Sequence, residues 1–471
     1  MTTMHRTDTE VLLEALSRGI ARDRIVVDEE VLLAISHDDA EWAAVGRAAL
    51  GLRPRTEAEI QHAVAVCADL HVPVVTRGAG TGLSGGANAV DGCLVVDLAR
   101  MDKILEIDEE NLVAVVQPGI VNNDLKAAVA EKGLWYPPDP ASAPWSSIGG
   151  NVATNAGGLC CLKYGVTGDY VLGVRAVVGG SSKYGDAVRL GRRTTKGTAG
   201  YDMAALFVGS EGTLGVMTEI TVKLRPALKG TPRTIVGAFG SLVAAGEAVA
   251  RLTRTGLTPS ALELLDRVCL EAVEEWKHLG IQTNEEALLL ARVDTAGSAG
   301  DEEAQAVADC FEQAGALWAA QSTDAEEAEA LFEARRLAYP ALERLSPVLT
   351  EDLCVPRSKV PAMLAEIQAI AARHHVKIGT IAHAGDGNLH PLLITPHGDE
   401  AAKRAAQAAF EDLIDACIGF GGTVTAEHGV GLLKMGGLER ELDPKSLEMQ
   451  KAIKRALDPA NLFNPGKVIA V

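Results

Sequence analysis

Residues 77–86 read Arg-Gly-Ala-Gly-Thr-Gly-Leu-Ser-Gly-Gly, five glycines in ten positions between two apolar, strand-like runs. Glycine at that density is costly in conformational entropy, and it usually lets another group approach the backbone closely. An ordinary surface loop is therefore a poor explanation. Gly80-Thr-Gly82-Leu-Ser-Gly85 matches the dinucleotide fingerprint G-x-G-x-x-G, and Gly82-Leu-Ser84-Gly-Gly86 matches the nucleophile elbow G-x-S-x-G. Both motifs need a helix straight after the turn. Here the chain passes through Asn88-Ala-Val-Asp-Gly92 into Cys93-Leu-Val-Val-Asp-Leu98, which leaves no room for one. The remaining reading is a nest, an anion cradle of successive backbone N–H groups.

The surrounding chain is long enough for two or three domains with real cores: 471 residues, 47% hydrophobic, mean hydropathy +0.11. Its net charge of −19 would repel a polyanionic duplex, and no Lys/Arg run supplies a basic face, so nucleic acid is not an expected partner. No stretch of 18 or more apolar residues predicts a transmembrane span, and the first ten residues lack the apolar core of a signal peptide. Eight cysteines without a Cys-x-x-Cys pair fit reduced thiols, and argue against a disulfide scaffold or a Cys-held zinc or iron–sulfur site. The expected location is cytoplasmic, with peripheral attachment to the inner face of the membrane also open.

Secondary-structure signals order the rest. Residues 9–50 read as short helices. Pro54-Arg-Thr56-Glu57-Ala-Glu59 opens a helix, with Pro and Thr first and acids in the opening turn, where the helix dipole favours them. Strands are expected at 171–178 and 217–224, a linker at 226–232, and alternating strands and helices from 233. A second Gly/Ser/Asn-rich stretch lies at 146–158 and a third at 206–215.

In that order the motifs carry a resemblance. Pro54-x-Thr56-x-x-Glu59, the 73–86 loop, Pro138-Asp139-Pro140, Ile148-Gly149-Gly-Asn151-x-Ala-Thr154-Asn155-Ala-Gly157-Gly158, Tyr164-Gly165 and Gly209-Ser-Glu211-Gly-Thr-Leu-Gly215 follow one another. The series resembles the FAD-binding domain of the vanillyl-alcohol oxidase/p-cresol methylhydroxylase superfamily. The C-terminal half resembles the FAD-linked oxidase C-terminal domain. The nearest branch is the D-2-hydroxyacid dehydrogenases, typified by the glycolate oxidase FAD subunit and D-lactate dehydrogenase.

The resemblance implies an α+β chain. It would comprise an N-terminal helical segment (1–39), a two-subdomain FAD-binding domain (40–225), a mixed α/β substrate or cap domain (226–420) and a C-terminal segment (421–471) returning to the flavin. Arg77, Gly78, Ala79, Gly80, Thr81, Gly82 and Ser84 would cradle the pyrophosphate. Pro138, Asp139, Gly149, Asn151, Thr154, Asn155, Gly157, Glu211 and Asn464 would line the remainder. No His lies between His71 and His278, so FAD is expected to be non-covalent.

Ile381-Ala-His383-Ala-Gly-Asp386-Gly387-Asn-Leu-His390 is the second strong signal. A turn at Asp386-Gly387 would bring the two imidazoles together from its two arms, and Thr425-Ala-Glu427-His428 adds a carboxylate and a third imidazole. Such a set suits Zn, Mn or Fe. The bland alternative is buried histidines with hydrogen-bond partners. The resemblance implies a divalent metal, Zn or Mn, on His383, His390 and Glu427, with His428 as general base.

A carboxylate substrate also needs a cation, preferably the bidentate fork of Arg. Leu331-Phe-Glu-Ala-Arg335 matches the family's arginine segment, which gives Arg335 a substrate-binding and catalytic role. Tyr339 falls where some members carry Thr, and Arg357 of Asp352-Leu-Cys-Val-Pro-Arg357 is a further candidate. Leu392 replaces an Asn of the hydroxyglutarate enzymes, and 349–351 lacks their Lys, which points to the lactate or glycolate class. Expected partners are a 2-hydroxy acid and a separate electron acceptor (quinone, cytochrome, electron-transfer flavoprotein or iron–sulfur subunit), with a homodimer open. The alternatives are an alcohol or phenol oxidase of the same superfamily, and a non-catalytic FAD-binding subunit.

Overall fold

A computed structural model describes residues 6–180, 183–278, 285–322 and 325–471. The chain forms two compact units. The first contains 1–156, 166–227 and 427–471, and the second 157–165 and 228–426.

Two sheets organise the first unit. One has four strands in the order Ile25–Val26, Leu50–Leu52, Leu94–Asp97, Val74–Arg77, with the last three parallel. Leu94–Asp97 is buried throughout, as a central parallel strand must be. The helix Glu57–Asp69 covers this sheet and begins with a capping box: the Glu59 N–H reaches the Thr56 hydroxyl, and the Glu59 carboxylate accepts from the Thr56 N–H. The other sheet is antiparallel: Ile104–Asp108, Val113–Val116, Val216–Lys223, Val171–Val178, Asp186–Gly191.

Two domain expectations are corrected here. The N-terminal helical segment does not stand apart over its described residues: Leu12, Leu16, Ile20 and Ile25 enter the core formed by Ile60, Val64, Leu94 and Val96. Residues 157–165, expected in the FAD domain, belong to the second unit, where Lys163 and Tyr164 both bond the buried carboxylate of Asp294.

The second unit is built on an antiparallel sheet. Its order is Trp318–Ser322, Arg233–Phe239, Ala287–Val293, Ala261–Asp266, Lys377–His383, Asn388–Ile394, Val348–Thr350, and Leu353–Cys354 also pairs with Asn388–Ile394. Helices Arg267–Lys277 and Ala325–Glu343 supply its apolar core, including Leu270, Val273, Phe332 and Ala338, against Leu265, Leu290 and Ile381.

Candidate functional site

The Gly-rich loop follows the parallel strand Val74–Arg77 with no helix behind it, as its sequence requires. Among the described residues, the N–H groups of Ala79, Gly80, Thr81, Gly82 and Leu83 bond to no protein acceptor. Thr76 Oγ1 and Arg77 Nε are buried nearby without a hydrogen-bond partner. A run of unused donors is what a nest offers a phosphate anion. The glycines are also needed by the fold itself. Gly80 has φ +85°, and a Cβ there would lie 2.0 Å from Arg77 Nη2. At Gly86 a Cβ would lie 2.6 Å from Glu211 Oε2.

The loop forms one wall of a cleft with about 1290 Å3 of empty volume, counted to its open mouth. All its lining residues belong to the first unit. They include Thr76, Gly78–Ser84, Gly149, Asn151, Thr154 and Glu211, together with Glu427 and His428. Pro140, Ala141 and Ser142 line it too, but Pro138 and Asp139 do not: the Pro138 carbonyl accepts from Asn122, and Asp139 pairs with Lys126 at 2.5 Å. Asn155 is the left-handed C-cap of the helix Ile148–Thr154, and its side chain accepts from the Gly168 N–H. Gly157 lies in the second unit.

Beneath the loop sits a buried polar knot that the sequence did not announce. Lys467 Nζ donates to the carbonyls of Gly86 and Asn88 and to Asn464 Oδ1. Asn464 Nδ2 donates to Gly86 O (2.8 Å) and Glu211 O (2.7 Å). The Glu211 carboxylate accepts from Val430 N (2.7 Å) and Gly431 N (3.0 Å). Burial pushes Glu211 up to about 7 and Lys467 down to about 8. Ser84, expected to reach a phosphate, lines the cleft and donates to Gly429 O at 2.7 Å. Asp38 also lines the cleft and is held above the usual carboxylate range by burial.

The second unit places the histidine pair as the spacing suggested. Lys377–His383 and Asn388–Ile394 form a hairpin in which His383 faces Asn388 and Ile381 faces His390. The two imidazoles are thus diagonal neighbours on one sheet face, 5.3 Å apart between ring centroids and nearly perpendicular. Glu263 stands opposite His383 on the next strand and is fully buried. Its carboxylate lies 2.9 Å from His383 Nδ1 and 2.9 Å from Arg335 Nε. Arg335 is itself 5% exposed, and among the described residues no other carboxylate pairs with it.

Asp352, also fully buried, lies 3.7 Å from His390 Nδ1 and accepts from Thr425 Oγ1 and Ala426 N, both at 2.9 Å. The next residues in the chain are Glu427 and His428. Tyr339 is half-buried against the apolar core, whereas Arg357 is exposed in the turn Arg357–Lys359. Glu263 and Asp352 were both missed. The available signal was a lone acid inside an apolar strand, Ala261-Leu-Glu263-Leu-Leu.

Comparison with known proteins follows the same division. The FAD binding domain family matches residues 48–183, and the family of FAD linked oxidases, C-terminal domain, matches residues 231–468. The glycolate oxidase subunit GlcD of Bacillus subtilis is 42% identical over 420 residues, 89% of this chain and 88% of that protein. A D-lactate dehydrogenase of Anaerostipes hadrus is 33% identical over 468 residues, covering 96% of each chain. The solved p-cresol methylhydroxylase superposes with a TM-score of 0.81 at 18% identity, covering 99% of this chain and 98% of the other, and so shares its fold.

Proposed function

Because the chain belongs to the FAD-linked oxidases, flavoenzymes with the vanillyl-alcohol oxidase fold, we propose that it oxidises a D-2-hydroxy acid of the lactate or glycolate class to the 2-keto acid. The observation that carries this reading is a single cleft lined by both the N–H cradle and His428. Glycolate and lactate, named in its relatives, share a hydroxyl on the carbon next to a carboxylate. FAD, held non-covalently along the cradle, supplies the hydride acceptor.

The chain's own residues do the rest. Arg335 binds the substrate carboxylate, with the Glu263 carboxylate paired to it at 2.9 Å from Nε. His428 takes the hydroxyl proton as hydride leaves C2, a task suited to an imidazole near neutral pH. Tyr339, half-buried, and Arg357, exposed, are further candidates for substrate contact.

The residue types of His383, His390 and Glu427 would suit a divalent ion such as Zn or Mn. His383 Nδ1 lies against the Glu263 carboxylate, as in metal-binding imidazoles, which would leave Nε2 to hold the ion. Asp352, beside His390, is a further oxygen donor. Such an ion would supply Lewis acidity toward the substrate hydroxyl.

Electrons then pass to a separate acceptor, as befits a relative named as a subunit. Among the described residues no helix is long and apolar enough to cross a membrane. The test is an anaerobic panel of D- and L-2-hydroxy acids scored by bleaching of the bound flavin. D-lactate or glycolate should bleach it. Failure of every hydroxy acid would overturn the reading in favour of a non-catalytic FAD-binding subunit.

A further inference from the structure

The turn that carries His428 is tied to the Gly-rich loop by an unusually dense set of bonds, all within the first unit. The Ser84 hydroxyl donates to Gly429 O at 2.7 Å and lies 3.2 Å from His428 O. The Ser84 carbonyl accepts from Leu432 N at 2.7 Å. Glu211 accepts from Val430 N and Gly431 N. Gly431 has φ +48°, and a Cβ there would lie 2.1 Å from Ser84 O, so the two segments touch backbone to backbone. Ser84 is 1% exposed and Glu211 7% exposed.

Both side chains make hydrogen bonds within the protein. The Ser84 hydroxyl has a single proton, and it points at the 428–429 carbonyls. The Glu211 carboxylate receives two N–H groups from the residues that follow His428. We infer that Ser84 and Glu211 are positioning residues for His428: they fix the 428–432 turn against the cofactor cradle, and so set where the imidazole stands in the cleft. The inference rests on the reading of His428 as the base and deepens it. Backbone N–H groups of the loop face the cofactor, and the side-chain hydroxyl of the same loop faces the base. One ten-residue segment thereby registers the two against each other.

Ser84→Ala in the full-length, FAD-loaded protein is the direct test. FAD stoichiometry and the extent of reduction by dithionite should match the parent. Flavin reduction by D-lactate or glycolate should slow about 10-fold to 100-fold with KM within about twofold, the signature of a displaced catalytic group. Glu211→Gln, which keeps one acceptor oxygen, should fall between the parent and Glu211→Ala. Hydrogen exchange at the amides of 430–432 should quicken in both Ser84→Ala and Glu211→Ala.

Loss of FAD from Ser84→Ala would overturn the proposal by giving the hydroxyl to the cofactor. Reduction within twofold of the parent would overturn it too. His428→Asn separates this from failure of the base reading. If that variant reduces within a few-fold of the parent, the base assignment has failed, and exchange at 430–432 still judges the clamp on its own. Unchanged exchange there overturns the clamp.

Discussion

The cleft of the first unit presents mostly backbone, whereas the second unit gathers charged side chains. Along 79–83 the exposed chemistry is a row of peptide N–H groups. The second unit instead buries Arg335, Glu263, His383, His390 and Asp352 together, from three strands, a helix and a strand end. A backbone site can be kept by almost any side chains that allow the chain path. A side-chain site depends on each partner. Replacements should therefore act through conformation in one unit and through unpaired charge in the other.

The largest effect is expected at the proposed base. His428→Asn should keep its FAD while substrate-driven flavin reduction falls about 100-fold to 10,000-fold, read by anaerobic stopped-flow. In the second unit, Glu263→Ala leaves a buried guanidinium without its acid. A loss of about 3–5 kcal/mol in denaturant unfolding is expected, and Glu263→Gln should lose less. An unaffected Glu263→Ala would break the comparison, because the second unit would then not depend on its ion pairs.

A pH test separates the units further. Asp266 caps the helix Arg267–Lys277, also accepts from Thr380 N, and is pushed by burial up to about 6. In the first unit burial pushes Glu211 up to about 7. For each, the folded pKa lies above the unfolded value, so the folded chain holds the extra proton. The resulting stability is present below the ordinary carboxylate range and is lost as pH rises, through about 6 for Asp266 and about 7 for Glu211. Each contribution is on the order of 3 kcal/mol. Asp266→Asn should flatten the lower window and Glu211→Gln the upper one in stability-versus-pH curves.

The smallest effect belongs to the backbone wall. Gly80→Ala, strained at φ +85° and crowding Arg77, should cost about 1–3 kcal/mol and weaken FAD retention in gel filtration without altering the second unit. Acid or heat should release the yellow colour into the supernatant. Colour kept in the pellet would contradict non-covalent binding.

How much of this was legible in the sequence follows the same division. The loop at 77–86 could be read because glycine spacing and the missing helix are local facts. So could the cap at Thr56-x-x-Glu59, and the hairpin that pairs His383 with His390 through Asp386-Gly387. What could not be read are partners far apart along the chain. Glu263 meets His383 across 120 residues, and Thr425 meets Asp352 across 73. No local pattern encodes such pairs. Ser84 shows the same limit within a motif: the loop was recognised, but its hydroxyl's partner at 429 lies 345 residues away.

Lys467 carries a consequence for how the protein is made. Its ammonium closes the underside of the loop at Gly86, 381 positions earlier in the chain. A nascent polypeptide emerging from the ribosome therefore carries a finished glycine segment long before anything can seal it. Sealing of the loop must wait until residue 467 has been made, and during that delay the half-built cleft is open to chaperones and proteases alike.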